Sequence, residues 1–214
     1  MRERTHASHA LAERSGFVAE MIRGRGNREG YILFLRNLLP AYEELEHGLE
    51  RHGQSPIFGG FPWADLIRAS AIERDLSVLA GPDWRRSIGM LPSATTYSRQ
   101  VASAASGNGE RLIAHAYVRY MGDLSGGQVL KRLLGRSLNL GPEALSFYEF
   151  PAIADAVKFK SDFRVAIDGA AARFVDSRAV VDEAAMAFQL NIALSEAIQR
   201  SQEQIAEAAA SFPG

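Results

Sequence analysis

Apolar positions recur three and four apart along nearly the whole chain, the spacing of one face of an α-helix. A first helix is predicted over residues 5–23, carrying Leu11, Phe17, Val18, Met21 and Ile22, and stopped by Gly24-Arg25-Gly26-Asn27. A second, over residues 29–51, aligns Ile32, Leu35, Leu38, Leu39, Tyr42 and Leu45, with a bend expected at Pro40. GQSPIFGGFPW reads as a loop before a third helix over 64–79; GPDWRRSIGMLPS leads to a fourth over 94–105. Residues 110–138 keep the helical pattern but contain Gly122, Gly126 and Gly127. Each glycine in a helix interior costs about 1 kcal/mol relative to alanine, so this cluster demands a reason. Pro142 opens a short helix ending near Phe147, FPAIADAVKFKSDFRVAIDG forms another, and a long helix over 177–209 closes the chain. There is no strand-like alternation, repeat or long linker, so the expected class is all-α with a single domain spanning 1–214.

Composition narrows the chemistry. With 47% hydrophobic residues in 214, a sizeable core needs no covalent staples. The absence of cysteine excludes disulfides, thiolate metal ligands, Fe–S clusters and a cysteine nucleophile. Lys plus Arg (24) nearly balance Asp plus Glu (25), so charge gives no reason to expect nucleic acid or an anionic membrane as partner. The opening MRERTHASHALAERSG lacks the apolar stretch of a secretory signal, and no apolar run approaches the ~20 residues of a spanning helix. A cytoplasmic location is the expectation.

Glycines in a helix allow its backbone to approach a flat ligand where any Cβ would collide, and they permit a kink. They also permit a tight helix–helix crossing, and spacing alone does not separate the two. The full run from His115, HAYVRYMGDLSGGQVL, resembles the signature of the haem oxygenase family nearly continuously over residues 115–130. The resemblance implies an all-α fold with haem b between a proximal N-terminal helix and a kinked glycine-rich distal helix. Gly122, Gly126, Gly127 and Ser125 would then line the haem face. Asp123, polar within an apolar stretch, belongs to water or to a hydrogen-bond network.

Five histidines could hold iron: His6, His9, His47, His52 and His115. His9 stands apart because Glu13, four residues on, shares its helix face and could fix the imidazole tautomer through a hydrogen bond to its N–H. The resemblance agrees: Thr5, His9, Ala12, Glu13 and Phe17 match the family's pattern around its proximal histidine, and His6 does not.

Haem carries two propionates, which require cations at one edge of a pocket. Lys160 and Arg164 lie four apart in KFKSDFR, a pattern that is ordinarily a solvated basic stripe, but they fall where the family supplies propionate contacts. Arg2, seven residues before His9, matches another basic position. By the same resemblance Tyr42, Tyr117 and Arg119 join the distal water network, and Phe188 and Asn191 line the haem edge. Pattern alone would make Tyr42, Phe188 and Asn191 simple core positions. Pro40 and Ala41, just ahead of Tyr42, depart from the family pattern.

The implied activity is cleavage of haem, which is both substrate and cofactor, by O2 and an external reductant, giving biliverdin, CO and iron. Asp123 is expected to hold the ordered water that delivers a proton, and Lys160 with Arg164 to favour the α-meso edge. A ferredoxin or flavoprotein reductase would be the electron donor, and a monomer the assembly. Two other readings compete. Glu3…His6 and Glu44…His47 form two Glu-x-x-His motifs, as in a di-iron carboxylate oxidase. A haem carrier or sensor without turnover would need the same ligand and propionate residues.

Overall fold

The computed structural model describes residues 2–211, with side chains from residue 5 onward. The helices are α1 (Arg2–Ala12), α2 (Gly16–Ile22), α3 (Arg28–His52), α4 (Ala69–Ala80), α5 (Trp84–Ser87), α6 (Pro92–Ala104), α7 (Leu112–Gly122), α8 (Gln128–Ser137), α9 (Ala156–Ala171) and α10 (Ser177–Ser211). No strand occurs among the described residues. α10 is the spine, packing on α1, α2, α3, α6 and α7. α3 runs through the centre and buries Leu35, Leu38, Leu39, Tyr42, Leu45 and Leu49 on the side the apolar spacing marked out.

The predicted first helix is two helices. Gly16 adopts φ +56°, a left-handed conformation disfavoured for any residue with a Cβ. A Cβ there would also lie 2.4 Å from the backbone of Ser195 and Glu196. Buried Ser195 locks the joint, its Oγ accepting from Val18 N and donating to Ser15 O, both at 2.9 Å. The break lets α1 and α2 each lie on α10 at its own angle, which apolar spacing could not reveal.

The predicted third helix also starts late. Residues Trp63–Leu66 form a 3-10 turn, and α4 begins at Ala69, where Glu46 of α3 accepts from Arg68 N at 2.5 Å and Ala69 N at 2.9 Å. A carboxylate from another helix thus satisfies the positive N-terminal end of α4. The short helix expected after Pro142 is instead a pair of 3-10 turns, Pro142–Ala144 and Ser146–Tyr148. Buried Asp75 holds the second, accepting from Ser146 N and Phe147 N at 2.9 Å each. α3 continues through Pro40 as one helix.

The predicted helix over 110–138 is continuous in path but not in type. Between α7 and α8, residues Asp123–Gly127 form a π-helical turn. Such turns carry one extra residue per loop of backbone and concentrate at functional sites.

Candidate functional site

The π-turn, α1 and α10 surround an open cleft. Its walls include His9, Glu13, Gly122, Asp123, Gly126, Phe188 and Asn191. A second recess, reaching Thr5, Tyr117, Ser125 and Arg164, shares His9, Val118, Gly122 and Phe188 with the first, so one continuous gap runs past His9.

The glycines divide by role. A Cβ built on Gly122 or Gly126 would meet nothing within 4 Å and would project into the gap. Tight helix packing therefore does not explain these two positions. Gly127 differs from the expectation: it borders the cleft, but its Cβ would press on the Tyr148 ring at 3.1 Å. Packing against the 3-10 turn explains that glycine.

Across the gap, His9 is exposed and stands edge-on to Phe188, with ring centroids 5.9 Å apart. The hydrogen bond expected from Glu13 is not made. Oε1 lies 3.7 Å from His9 Nδ1, beyond hydrogen-bond range, and both side chains are more than half exposed. An exposed pair of long side chains is not held by packing, which is why spacing alone overstated this contact.

Behind the glycine wall lies a buried polar network. Tyr42 of α3 donates through its hydroxyl to Asp123 Oδ2. Arg119, one helical turn before Asp123, donates to Tyr42 Oη from Nε at 3.0 Å and from Nη2 at 2.9 Å, and to Asp123 Oδ1 at 3.2 Å. It also donates to Asn191 Oδ1 on α10, while Asn191 Nδ2 donates to Tyr97 Oη at 2.9 Å. Burial pushes the Asp123 carboxyl above its ordinary range, against the opposing pull of Arg119 and Tyr42. Burial also raises the Tyr42 hydroxyl, and Asp123 adds to it. Arg119 stays charged because Tyr42 and Asp123 outweigh the effect of its own burial. Asp123 thus sits at the cleft wall as a basic acceptor held in one orientation by two donors, able to retain a proton longer than an exposed carboxylate.

The mouth carries two cations from α9. Lys160 donates to Ser125 Oγ at 3.1 Å, and Arg164 lines the outer recess. Among the described residues neither makes an ion pair with a carboxylate, whereas Lys158 on the same helix is paired with Asp162 at 2.6 Å. Both are therefore free to meet an anionic group at the mouth. Tyr117 and buried Thr5 border the same recess. The Arg2 and Glu3 side chains, one an expected propionate contact and the other half of a Glu-x-x-His motif, lie outside the described residues. The other motif places His47 on the exposed face of α3, and no group of three or more potential metal ligands occurs among the described residues.

Sequence reasoning passed over Tyr97, Glu46, Arg68 and Tyr120, which surround the network from behind. It also left His115 among the iron candidates. That imidazole is fully buried with Nε2 2.8 Å from Glu183 Oε1, a link between α7 and α10.

What is present fits a flat macrocycle with acidic substituents: a side-chain-free wall, an imidazole opposite, and unneutralised cations at the mouth. Comparison with known proteins agrees. The sequence model of the family described as "Heme oxygenase" matches residues 1–197. "Heme oxygenase 1" of Homo sapiens is 37% identical over 203 residues, covering 93% of this chain and 70% of that protein. The Nostoc sp. protein of the same name is 34% identical over 200 residues, covering 93% and 84%. Among solved structures, heme oxygenase-1 from Synechocystis sp. in complex with heme superposes with a TM-score of 0.87 at 30% identity, covering 98% of this chain and 95% of that one. Heme oxygenase from Leptospira interrogans gives 0.82 at 32% identity, covering 91% and 96%. The chain belongs to the haem oxygenase family.

Proposed function

We propose that this chain binds haem in the gap between His9 and the Gly122–Gly126 wall and opens its ring with O2 and an external reductant, giving biliverdin, CO and iron. The observation that carries this reading is the open space into which a Cβ at Gly122 or Gly126 would project, facing His9. When bound, the haem supplies the oxygen activation and is itself the molecule consumed.

The chain's residues do the rest. His9, presented by a short helix that α10 supports, would hold the iron through its imidazole. Gly122 and Gly126, with no side chains, would leave room for the ring beside the π-turn backbone. Asp123, fixed by Tyr42 and Arg119, anchors an ordered water and moves a proton at its Oδ atoms. Asn191 keeps the Arg119 guanidinium turned toward that pair. Phe188 restrains the His9 ring from the side. Lys160 and Arg164 attract the two propionates, and Tyr117, Thr5 and Ser125 shape that outer edge. Held by these cations as in the family it resembles, the ring would be opened at the α-meso carbon.

We read residues 1–214 as one catalytic unit acting as a monomer, and no described helix is long and apolar enough to cross a membrane. The groove between α8 and the 3-10 turns carries Arg132 and Arg136, beside a Lys131 paired with Glu149 at 2.8 Å, and suits an acidic redox protein of ferredoxin or flavoprotein type.

Reductant-driven turnover of the haem-loaded protein, with chromatography of the products, tests this reading. Biliverdin in its α form is the expected outcome. A haem complex that only cycles or autoxidises would leave a carrier instead.

A further inference from the structure

α1 carries the imidazole of the site but buries little. Among residues 5–12 only Thr5 is buried, whereas α2, half as long again as a single turn pair, buries Phe17, Ala19 and Met21. A short helix is held in place mainly by the apolar surface it buries, so packing fixes α2 far more firmly than α1. Yet His9 lies in the last turn of α1 and faces the Gly122–Gly126 wall. What packing leaves open has to be set at the joint between the two helices.

Two serines divide that work. Ser15 is the N-cap of α2 and has the extended backbone of such a residue, yet its side chain caps nothing in α2. It turns back to α1 and donates from Oγ to Leu11 O at 2.8 Å. The N–H of Val18, one of the donors that the first turn of a helix leaves open, goes instead to Ser195 Oγ of α10 at 2.9 Å. The same Oγ donates to Ser15 O at 2.9 Å. One hydroxyl thus grips the chain on both sides of Gly16, where the left-handed φ of +56° makes the turn. From Ser15 the path to the imidazole is short, through its bond to Leu11 O and that of Glu13 N to His9 O at 3.2 Å. On α10, Phe188, Asn191 and Ser195 follow one another three and four residues apart. The face of α10 that meets the His9 ring through Phe188 therefore also holds the joint.

Resting on the haem oxygenase reading for what His9 binds, we propose that Ser195 is a positioning residue. Its hydroxyl, bridging Ser15 O and Val18 N, fixes the angle at which α1 leaves α2 and so sets where the His9 imidazole stands across the cleft. It does this through the joint and needs no contact with the iron. Without the hydroxyl, Ser15 O and Val18 N lose their shared partner. Rotation at Gly16, the residue type most tolerant of altered φ and ψ, then lets α1 pivot while α2 stays in the core. The imidazole samples positions that do not face the glycine wall, and bound haem is released faster.

The haem-free protein tests the joint apart from any haem chemistry. The chain has no cysteine, so Ala7→Cys on α1 and Ala102→Cys on α6, both exposed positions, would carry the only spin labels. Double electron–electron resonance then reads the spread of distances between α1 and the body of the molecule. With Ser195 in place the distribution should be narrow. It should broaden or shift in Ser195→Ala and narrow again in Ser195→Thr, which keeps the hydroxyl. Ser15→Ala, which cuts only the link to Leu11 O, should broaden it as well, and serves if Ser195→Ala does not fold. A distribution in Ser195→Ala, or in Ser15→Ala in its stead, that superposes on that of the parent overturns the proposal, whatever the protein does with haem. In the haem-loaded protein, transfer of haem to excess apomyoglobin should be about ten-fold faster in Ser195→Ala, the scale of two lost hydrogen bonds. Equal transfer rates overturn the proposal too. A protein that takes up no haem at all would instead sink the haem oxygenase reading and leave the distance result standing.

Discussion

Tyr42 donates to Asp123 across the interface between α3 and the π-turn, and it does so while accepting two hydrogen bonds from Arg119. The carboxylate therefore has its position set from two helices. Asp123→Ala should lower biliverdin formation by at least ten-fold and raise peroxidase-type oxidation of an added phenol, read by product chromatography and a colorimetric assay. Tyr42→Phe should do the same to a lesser degree, because Arg119 still holds Oδ1. Unchanged biliverdin yield in Asp123→Ala would refute its assigned role.

The glycine wall separates binding from folding. Gly126→Ala fills space that no neighbouring atom occupies, and the loss of glycine flexibility favours a helical turn by up to about 1 kcal/mol. Thermal melting of the haem-free protein should show Gly126→Ala or Gly126→Leu at or above wild-type stability. Haem titration should show Gly126→Leu weakened by at least ten-fold. Gly127→Ala should act in the opposite sense on stability, since its Cβ lies 3.1 Å from the Tyr148 ring.

His9 contributes little to the fold. It is exposed, and its contact with Glu13 is a 3.7 Å approach between solvated side chains. His9→Ala should change unfolding free energy by under about 0.5 kcal/mol. The same change should remove the Soret signature of imidazole ligation, and added imidazole should restore it. A wild-type spectrum in His9→Ala would move the ligand elsewhere, with His6 the next residue lining the same recess.

Acid should loosen the joint between α2 and α3. Arg25 and Arg23 hydrogen-bond Glu20 and hold its carboxyl down at about 2. A carboxyl lowered in the folded state stabilises above its unfolded pKa, so this contribution is complete above about 4.5 and is lost as pH falls toward 2. Both arginines are about half exposed or more, so solvent screening limits the effect to about 1 kcal/mol or less. Glu20→Gln should remove that part of the pH dependence in urea unfolding between pH 5 and 2. An unaltered pH dependence would show that the cluster is not coupled to folding.

Legibility in the sequence followed the range of the interactions. The faces of α3 and α10 were readable because apolar periodicity reports burial directly, and the glycine-rich signature located the cleft wall. The break at Ser15-Gly16 was hidden because its cause is a close approach to Ser195, about 180 residues away in sequence. The late start of α4 was hidden likewise, because its cap comes from Glu46 on another helix. Within the site, Tyr42, Arg119, Asp123 and Asn191 were marked by resemblance, and the structure brings all four into one network. Tyr97 carried no signal, since an aromatic on an amphipathic helix looks like any other until its neighbours are known, and Tyr120, though inside the signature over 115–130, gave no sign there of its contact with Tyr42. Spacing placed Glu13 beside His9, but could not say that nothing would hold the two together.

The π-turn takes up one residue more than an α-turn for the same sweep around the helix axis. Excising one position between Asp123 and Gly127 would therefore relax it to an ordinary α-turn and leave the phase of α8 nearly as it is. Lys131, Arg132 and Arg136 would keep facing their groove, and Leu134 would stay in the core. The loss would be local, a narrower turn without the bulge that bares the cleft wall. Chain length at this wall can thus change without re-aiming the rest of the molecule.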